Sequence, residues 1–123
     1  MNKHLPTEIT LHKKTRELEI AFNDGQRFTL PCEYLRVYSP SAEVQGHGPG
    51  QEVLQVGKEE VNIETIEQVG SYAIQPTFDD GHNTGIYSWD TLYDLGVNYL
   101  EYWQKYLDRL AKAGHQRKAA APL

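Results

Sequence analysis

Leu18-Glu19-Ile20-Ala21-Phe22-Asn23-Asp24-Gly25-Gln26-Arg27-Phe28-Thr29-Leu30 is the stretch whose reading decides the fold. Leu18, Ile20 and Phe22 recur with a period of two, which projects all three onto one face of a β-strand. Asn23-Asp24-Gly25 then supplies residue types that tolerate the positive φ angles of a tight reversal. Arg27 to Leu30 returns as the second arm of a hairpin. Upstream, Glu8-Ile9-Thr10-Leu11-His12 makes a partner strand, joined through the polar basic turn His12-Lys13-Lys14-Thr15-Arg16. The chain therefore opens with three strands.

Pro31 starts the next segment, and Cys32 to Tyr38 reads as a short helix, proline being suited to a first helical position. Ser39-Pro40 stops it. Ser41 to Gly50 holds three glycines and a proline with almost no apolar anchors, which predicts a mobile surface loop. Patterning resumes at Val61 and Ile63. It strengthens at Tyr72, Ile74, Pro76 and Phe78, which alternate as in a half-buried strand. Pro76 has no N–H to give a ladder, so it belongs at an edge or a non-bonded position. Asp79 to Gly85 is a turn, and Ile86-Tyr87 runs back as a second hairpin. Ser88 is a candidate N-cap for one long amphipathic helix over Trp89–Lys112. Leu92, Gly96, Tyr99, Trp103, Tyr106 and Leu110 form its apolar stripe, widened by Leu95, Leu100 and Leu107. Gly114 ends it, and residues 115–123 read as a flexible tail. The expected fold class is α+β: a small, mainly antiparallel sheet built from hairpins, one short helix and one long C-terminal helix, forming a single domain over residues 1–114.

The chain has 123 residues, and 17 acidic against 12 basic side chains leave a net charge of −5, which repels a phosphate backbone. Nucleic acid is a poor default partner. A single cysteine excludes an internal disulfide or a thiolate zinc cluster within one chain and fits a reducing cytoplasm. No apolar run has the length of a membrane span or a signal peptide, so membrane is not an expected partner either.

Several residues have side chains capable of chemistry. Asp79, Asp80 and His82 share one turn and could bind a divalent ion or pair a carboxylate with an imidazole, or could simply be what a hairpin turn requires. The calcium-loop pattern of alternating ligands with a distal Glu is missing. Cys32 is either reactive or a small buried group; nothing basic beside it argues for a lowered pKa. His47, between glycines, would ligate only if its loop were ordered. Arg36, within an apolar helix, either pins a ligand or makes a structural ion pair with Asp79 or Asp80. Trp89, Trp103 and Tyr106 belong to an unusually aromatic set, part of which could face a partner. Gly57-Lys58 lacks the rest of a phosphate loop, and no nucleophile elbow occurs.

Phe22-x-Asp24-Gly25, Leu30-Pro31, Tyr34-Leu35-Arg36, Ser39-Pro40-Ser41, Gly70-Ser71-Tyr72-Ala73-Ile74 and Phe78-Asp79-Asp80-Gly81-His82-x-Thr84-Gly85-Ile86-Tyr87-Ser88-Trp89 together resemble the gamma-butyrobetaine hydroxylase-like N-terminal domain family, over roughly residues 7–95. In the hydroxylases that name the family, this domain precedes a 2-oxoglutarate and iron oxygenase domain and holds zinc through three cysteines and a histidine. The resemblance places Ser39, Ser41 and Val44 at the cysteine positions and His82 at the histidine. Serine hydroxyls and a valine do not replace thiolates, so the resemblance implies the fold without the metal site. The oxygenase also needs a His-x-Asp/Glu pair, and none of His4, His12, His47, His82 or His115 has an acid two places on. Free-standing bacterial members, and copies fused to iron–sulfur cluster carrier ATPases, imply a portable module.

The leading expectation is a non-catalytic, cytoplasmic module that contacts a protein partner through an aromatic surface bearing Arg36, with no resident cofactor; pairing of two copies through the long helix is open. The alternative is an accessory protein holding iron or zinc at Asp79, Asp80 and His82. A small enzyme using Asp80 and His82 as an acid–base pair comes third.

Overall fold

β1 (Pro6–His12), β2 (Glu17–Phe22) and β3 (Arg27–Pro31) form an antiparallel sheet in that order. Its register sets Leu11 against Leu18, Leu18 against Leu30, and Ile20 between Ile9 and Phe28. The alternation quoted above thus lines one apolar face, and Gly25 at φ 89 makes the reversal. The structure is a computed structural model and describes residues 4–46, 48 and 50–118.

The second half departs from the single sheet expected. β4 (Ile63–Val69), β5 (Ala73–Phe78) and β6 (Tyr87–Ser88) form a second three-stranded antiparallel sheet. β4 pairs along all of β5, whereas β6 meets only Ala73 and Ile74. The main hairpin is therefore β4–β5. A register shift between Ile63 and Thr65 spaces Ile63 and Ile66 by three residues, and this bulge hides β4 from a period-two reading. Pro76 lies past the end of the β5–β6 ladder, so no neighbour on that side requires its missing N–H.

α1 (Cys32–Val37) follows β3 directly, with Pro31 at the N-cap and all six residues buried. The 41–50 segment, expected to be mobile, contains α2 (Ala42–Gln45): Ser41 Oγ accepts from the Glu43 N–H and Val44 is buried beneath the turn. A capping serine and one valine sufficed to anchor it. His47 lies outside the described residues.

The long helix is two helices, α3 (Trp89–Val97) and α4 (Tyr99–Lys112), separated at Asn98. Asn98 turns its side-chain amide back onto the carbonyl of Asp94 at 3.1 Å and its carboxylate at 2.8 Å, competing with regular helix geometry. Gly96 sits against the ring of Phe28; a Cβ there would lie 2.5 Å from ring atoms. α3 therefore rests on the first sheet, and the bend sends α4 along α1, where Tyr34 meets Tyr99 edge to face. Leu92, Leu95, Tyr106 and Leu110 are buried as the stripe predicts, but Leu100, expected to widen the stripe, is 83% exposed.

Both sheets and α3 feed one core containing Leu18, Ile20, Leu30, Ile63, Phe78 and Leu92, while Val37, Tyr106 and Leu110 form a smaller cluster under α4. The tyrosines join elements through their hydroxyls. Tyr34 donates to the carbonyl of Leu95, Tyr38 to that of Tyr102, Tyr87 to that of Leu35 and Tyr106 to that of Gln55. After α4 the chain folds back: His115 N–H donates to the Leu110 carbonyl, and Arg117 pairs with Glu33 while covering the ring of Trp103. The tail expected from residue 115 is thus docked as far as Lys118, because Glu33, buried on α1, needs a cation; residues 119–123 lie outside the described residues. Among the described residues no helix is long and apolar enough to cross a membrane.

Candidate functional site: the Ser39–His82–Glu43 chain

Two short segments meet beside the second sheet. One is Tyr38–Gln45, leaving α1 and entering α2; the other is the Phe78–Gly85 turn. Gly81, at φ 90, lets the turn close so that the Phe78 N–H donates to the His82 carbonyl at 2.9 Å. The Asp80 carboxylate accepts from the His82 N–H at 3.1 Å, which fixes the imidazole pointing at α2.

There Ser39 Oγ lies 2.8 Å from His82 Nε2, and His82 Nδ1 lies 3.1 Å from Glu43 Oε2. A carboxylate only accepts, so Nδ1 carries the proton and Nε2 accepts from the Ser39 hydroxyl. Ser39 Oγ in turn accepts from the Ser41 N–H at 3.2 Å, and Ser41 Oγ bonds Thr84 Oγ1 at 2.7 Å. Burial lowers the His82 pKa, and the nearby Arg36 charge adds to it, against the opposing pull of Glu43 and Asp80. The imidazole is neutral at pH 7.

Ser, His and Glu in this hydrogen-bonded order have the connectivity of a hydrolytic triad. Access decides against that chemistry. Ser39 is 0% exposed, and the backbone of Gly85 lies so close to Ser39 Oγ that a side chain there would collide with it. No acyl group can reach attack distance of this hydroxyl. What the chain does is cross-link the α1–α2 segment to the β5–β6 turn.

The positions singled out in the sequence fall into three groups. Ser39, Ser41 and His82 converge directly, and Val44 is buried on the same short helix. Two hydroxyls, a methyl-bearing chain and one imidazole already bonded at both nitrogens do not fit zinc. Among the described residues no three His, Cys, Asp or Glu side chains are placed to hold a metal ion.

Asp79 and Asp80 are not aimed at one centre with His82. Asp79 accepts from the Asn62 N–H at 3.0 Å at the base of β4. Asp80 Oδ2 accepts from Arg36 Nε at 2.9 Å and Lys58 Nζ at 2.6 Å. Burial works against its charge, yet bonds from Lys58, the His82 N–H and Arg36 hold its pKa down to about 2. The expected Arg36–Asp80 pair exists, made through Arg36 Nε, while the buried Nη1 of the same guanidinium has no hydrogen-bond partner among the described residues. Cys32 is buried, and burial pushes its thiol up to about 11, so it packs as a small apolar group.

The expected contact surface is corrected by burial. Arg36, Trp89 and Tyr106 are buried, with the Trp89 indole N–H donating to the Ser71 carbonyl at 2.8 Å, and Trp103 is capped by Arg117. Asp80 holds Arg36, the Ser71 carbonyl holds Trp89, and Tyr106 packs with Val37 and Leu110, while Trp103 remains half-buried. Sequence reasoning missed Glu43 and Lys58. The Ser41-Ala42-Glu43 cap pattern could have marked the first; nothing local marks the second.

Two antiparallel three-stranded sheets, the helices α3 and α4, and a polar chain that ties the α1–α2 segment to the β5–β6 turn define a small α+β domain. The model of the family described as gamma-butyrobetaine hydroxylase-like, N-terminal, matches residues 9–93. The chain belongs to that family. A protein whose solution structure was determined by NMR is 50% identical, with a TM-score of 0.83 over 99% of this chain and 91% of the other. A second NMR structure is 42% identical, with a TM-score of 0.82 over 99% and 96%. The crystal structure of a protein with unknown function from Acidithiobacillus ferrooxidans is 37% identical, with a TM-score of 0.63 over 74% of this chain and 91% of that one. No curated protein matches the chain.

Proposed function

We propose that this protein is a non-catalytic cytoplasmic module that works by docking to another protein, and that its polar cluster is a structural strut needing no metal. The observation that carries this reading is the closure of the Ser39–His82–Glu43 chain: its hydroxyl is inaccessible and both imidazole nitrogens are engaged. A group with no free valence and no approach path serves shape, and shape in a small acidic domain serves recognition. The membership of a family of N-terminal domains supports a portable binding unit.

Two measurements on untagged protein test it. A fluorophosphonate probe should leave Ser39 unlabelled, and elemental analysis should find substoichiometric zinc and iron. Labelling lost in Ser39→Ala, or one equivalent of metal lost in His82→Ala, would overturn the reading.

A further inference from the structure

Among the described residues β1 is one of the two edges of the first sheet and β4 one of the two edges of the second. They face each other across a trough of about 550 Å³ lined by Ile9, Leu11, Thr65, Ile66, Gln68 and the buried Ile74, with Glu64 at its wall. One end is tied shut where the Asn62 amide donates to the Lys13 carbonyl at 2.9 Å. An open strand edge presents a row of N–H and C=O groups with no ladder partner, and an apolar floor beside it accepts every second side chain of an added strand. This trough offers two such edges.

Charge selects the occupant. Glu64 and Glu67 are exposed on β4 and, among the described residues, make no ion pair or hydrogen bond, whereas Glu8 on the opposite strand is held by Arg27 at 2.7 Å. Edge-to-edge pairing of two β4 strands would set these carboxylates against one another, which disfavours a second copy. A cationic strand would neutralise them.

Taking the docking-module reading as its premise, we propose that the β1–β4 trough binds an extended segment of a partner protein by strand addition. Valine- or isoleucine-like side chains at alternate positions rest on Ile9, Leu11 and Ile66, and lysine or arginine at the intervening positions meets Glu64 and Glu67.

The probe is the fluorescein-labelled peptide acetyl-Lys-Val-Lys-Val-Lys-Val-amide, compared with its Glu-for-Lys counterpart and followed by anisotropy and amide NMR. Binding should slow exchange of amides within residues 9–11 and 66–69. The double variant Glu64→Lys, Glu67→Lys should weaken it by roughly tenfold or more and favour the acidic peptide. Absent binding, shifts confined to other surfaces, or indifference to the charge reversal overturns the proposal. Concentration-dependent dimerisation abolished by Ile66→Arg would give the trough to a second copy and overturn it as well. These outcomes are read at β1 and β4, whereas the docking-module reading falls only on chemistry or metal at Ser39 and His82, so the two failures are distinguishable.

Discussion

Ser39→Ala removes one hydroxyl that is completely buried and leaves two groups stranded: His82 Nε2 loses its donor and the Ser41 N–H loses its acceptor. A buried polar group left unsatisfied costs about 1–3 kcal/mol, and partial rearrangement of a short segment reduces the sum, so the expected loss is about 2–4 kcal/mol. For a chain of this size that corresponds to roughly a 10 °C fall in Tm. Urea denaturation followed by circular dichroism and tryptophan emission measures it, with the m-value unchanged. Adding His82→Leu removes the stranded acceptor too, so the double variant should be less damaged than the two single losses combined, with a coupling of about 1–2 kcal/mol. Glu43→Gln, on an exposed carboxylate, should cost under about 1 kcal/mol. A Ser39→Ala variant within about 0.5 kcal/mol of the unaltered chain would show that the cluster is not a strut.

Gly96→Ala should destabilise by about 1–2 kcal/mol despite alanine's better helix propensity, because its methyl meets the Phe28 ring; adding Phe28→Leu should recover part of the loss in the same denaturation assay. Arg117→Ala strips the counterion from Glu33, whose side chain is 6% exposed, and should cost about 2–3 kcal/mol and raise amide exchange at residues 115–118. Acidification should weaken the fold in two stages. The folded His82 pKa lies below its ordinary 6.5, so the unfolded chain takes up the extra proton first, and stability falls as the pH drops below about 6.5 until the folded pKa is passed. The Asp80 carboxyl titrates near 3.8 unfolded and about 2 folded, and the contribution present above that window is lost on descending through it. His82→Leu should abolish the first stage in a pH series of urea midpoints and leave the second.

Trp89, Tyr106 and Arg36 show how an aromatic and cationic inventory misleads when read as a surface. A tyrosine hydroxyl can face water or a backbone carbonyl with equal chemical ease, and only the path of α4 along α1 selects the carbonyl. The Arg36–Asp80 pair was legible because a lone arginine in an apolar helix must find an anion. Lys58 as the third member was not, since one loop lysine resembles any other in sequence. Ser39 and His82 are 43 residues apart. Their types named the cluster through the family motif, but their hydrogen bond depends on two turns closing toward each other.

Local periodicity and turn chemistry determined the first sheet, α1, the N-cap of α3 and the α+β class, because strand alternation, glycine reversals and capping serines are energies set by near neighbours. Tertiary structure decided the rest: the separate second sheet, the bend at Asn98, the docked residues 115–118 and the sealed Ser39 hydroxyl. Each of these depends on which distant surface is available to bury a side chain or accept a hydrogen bond, a quantity absent from any short window of sequence.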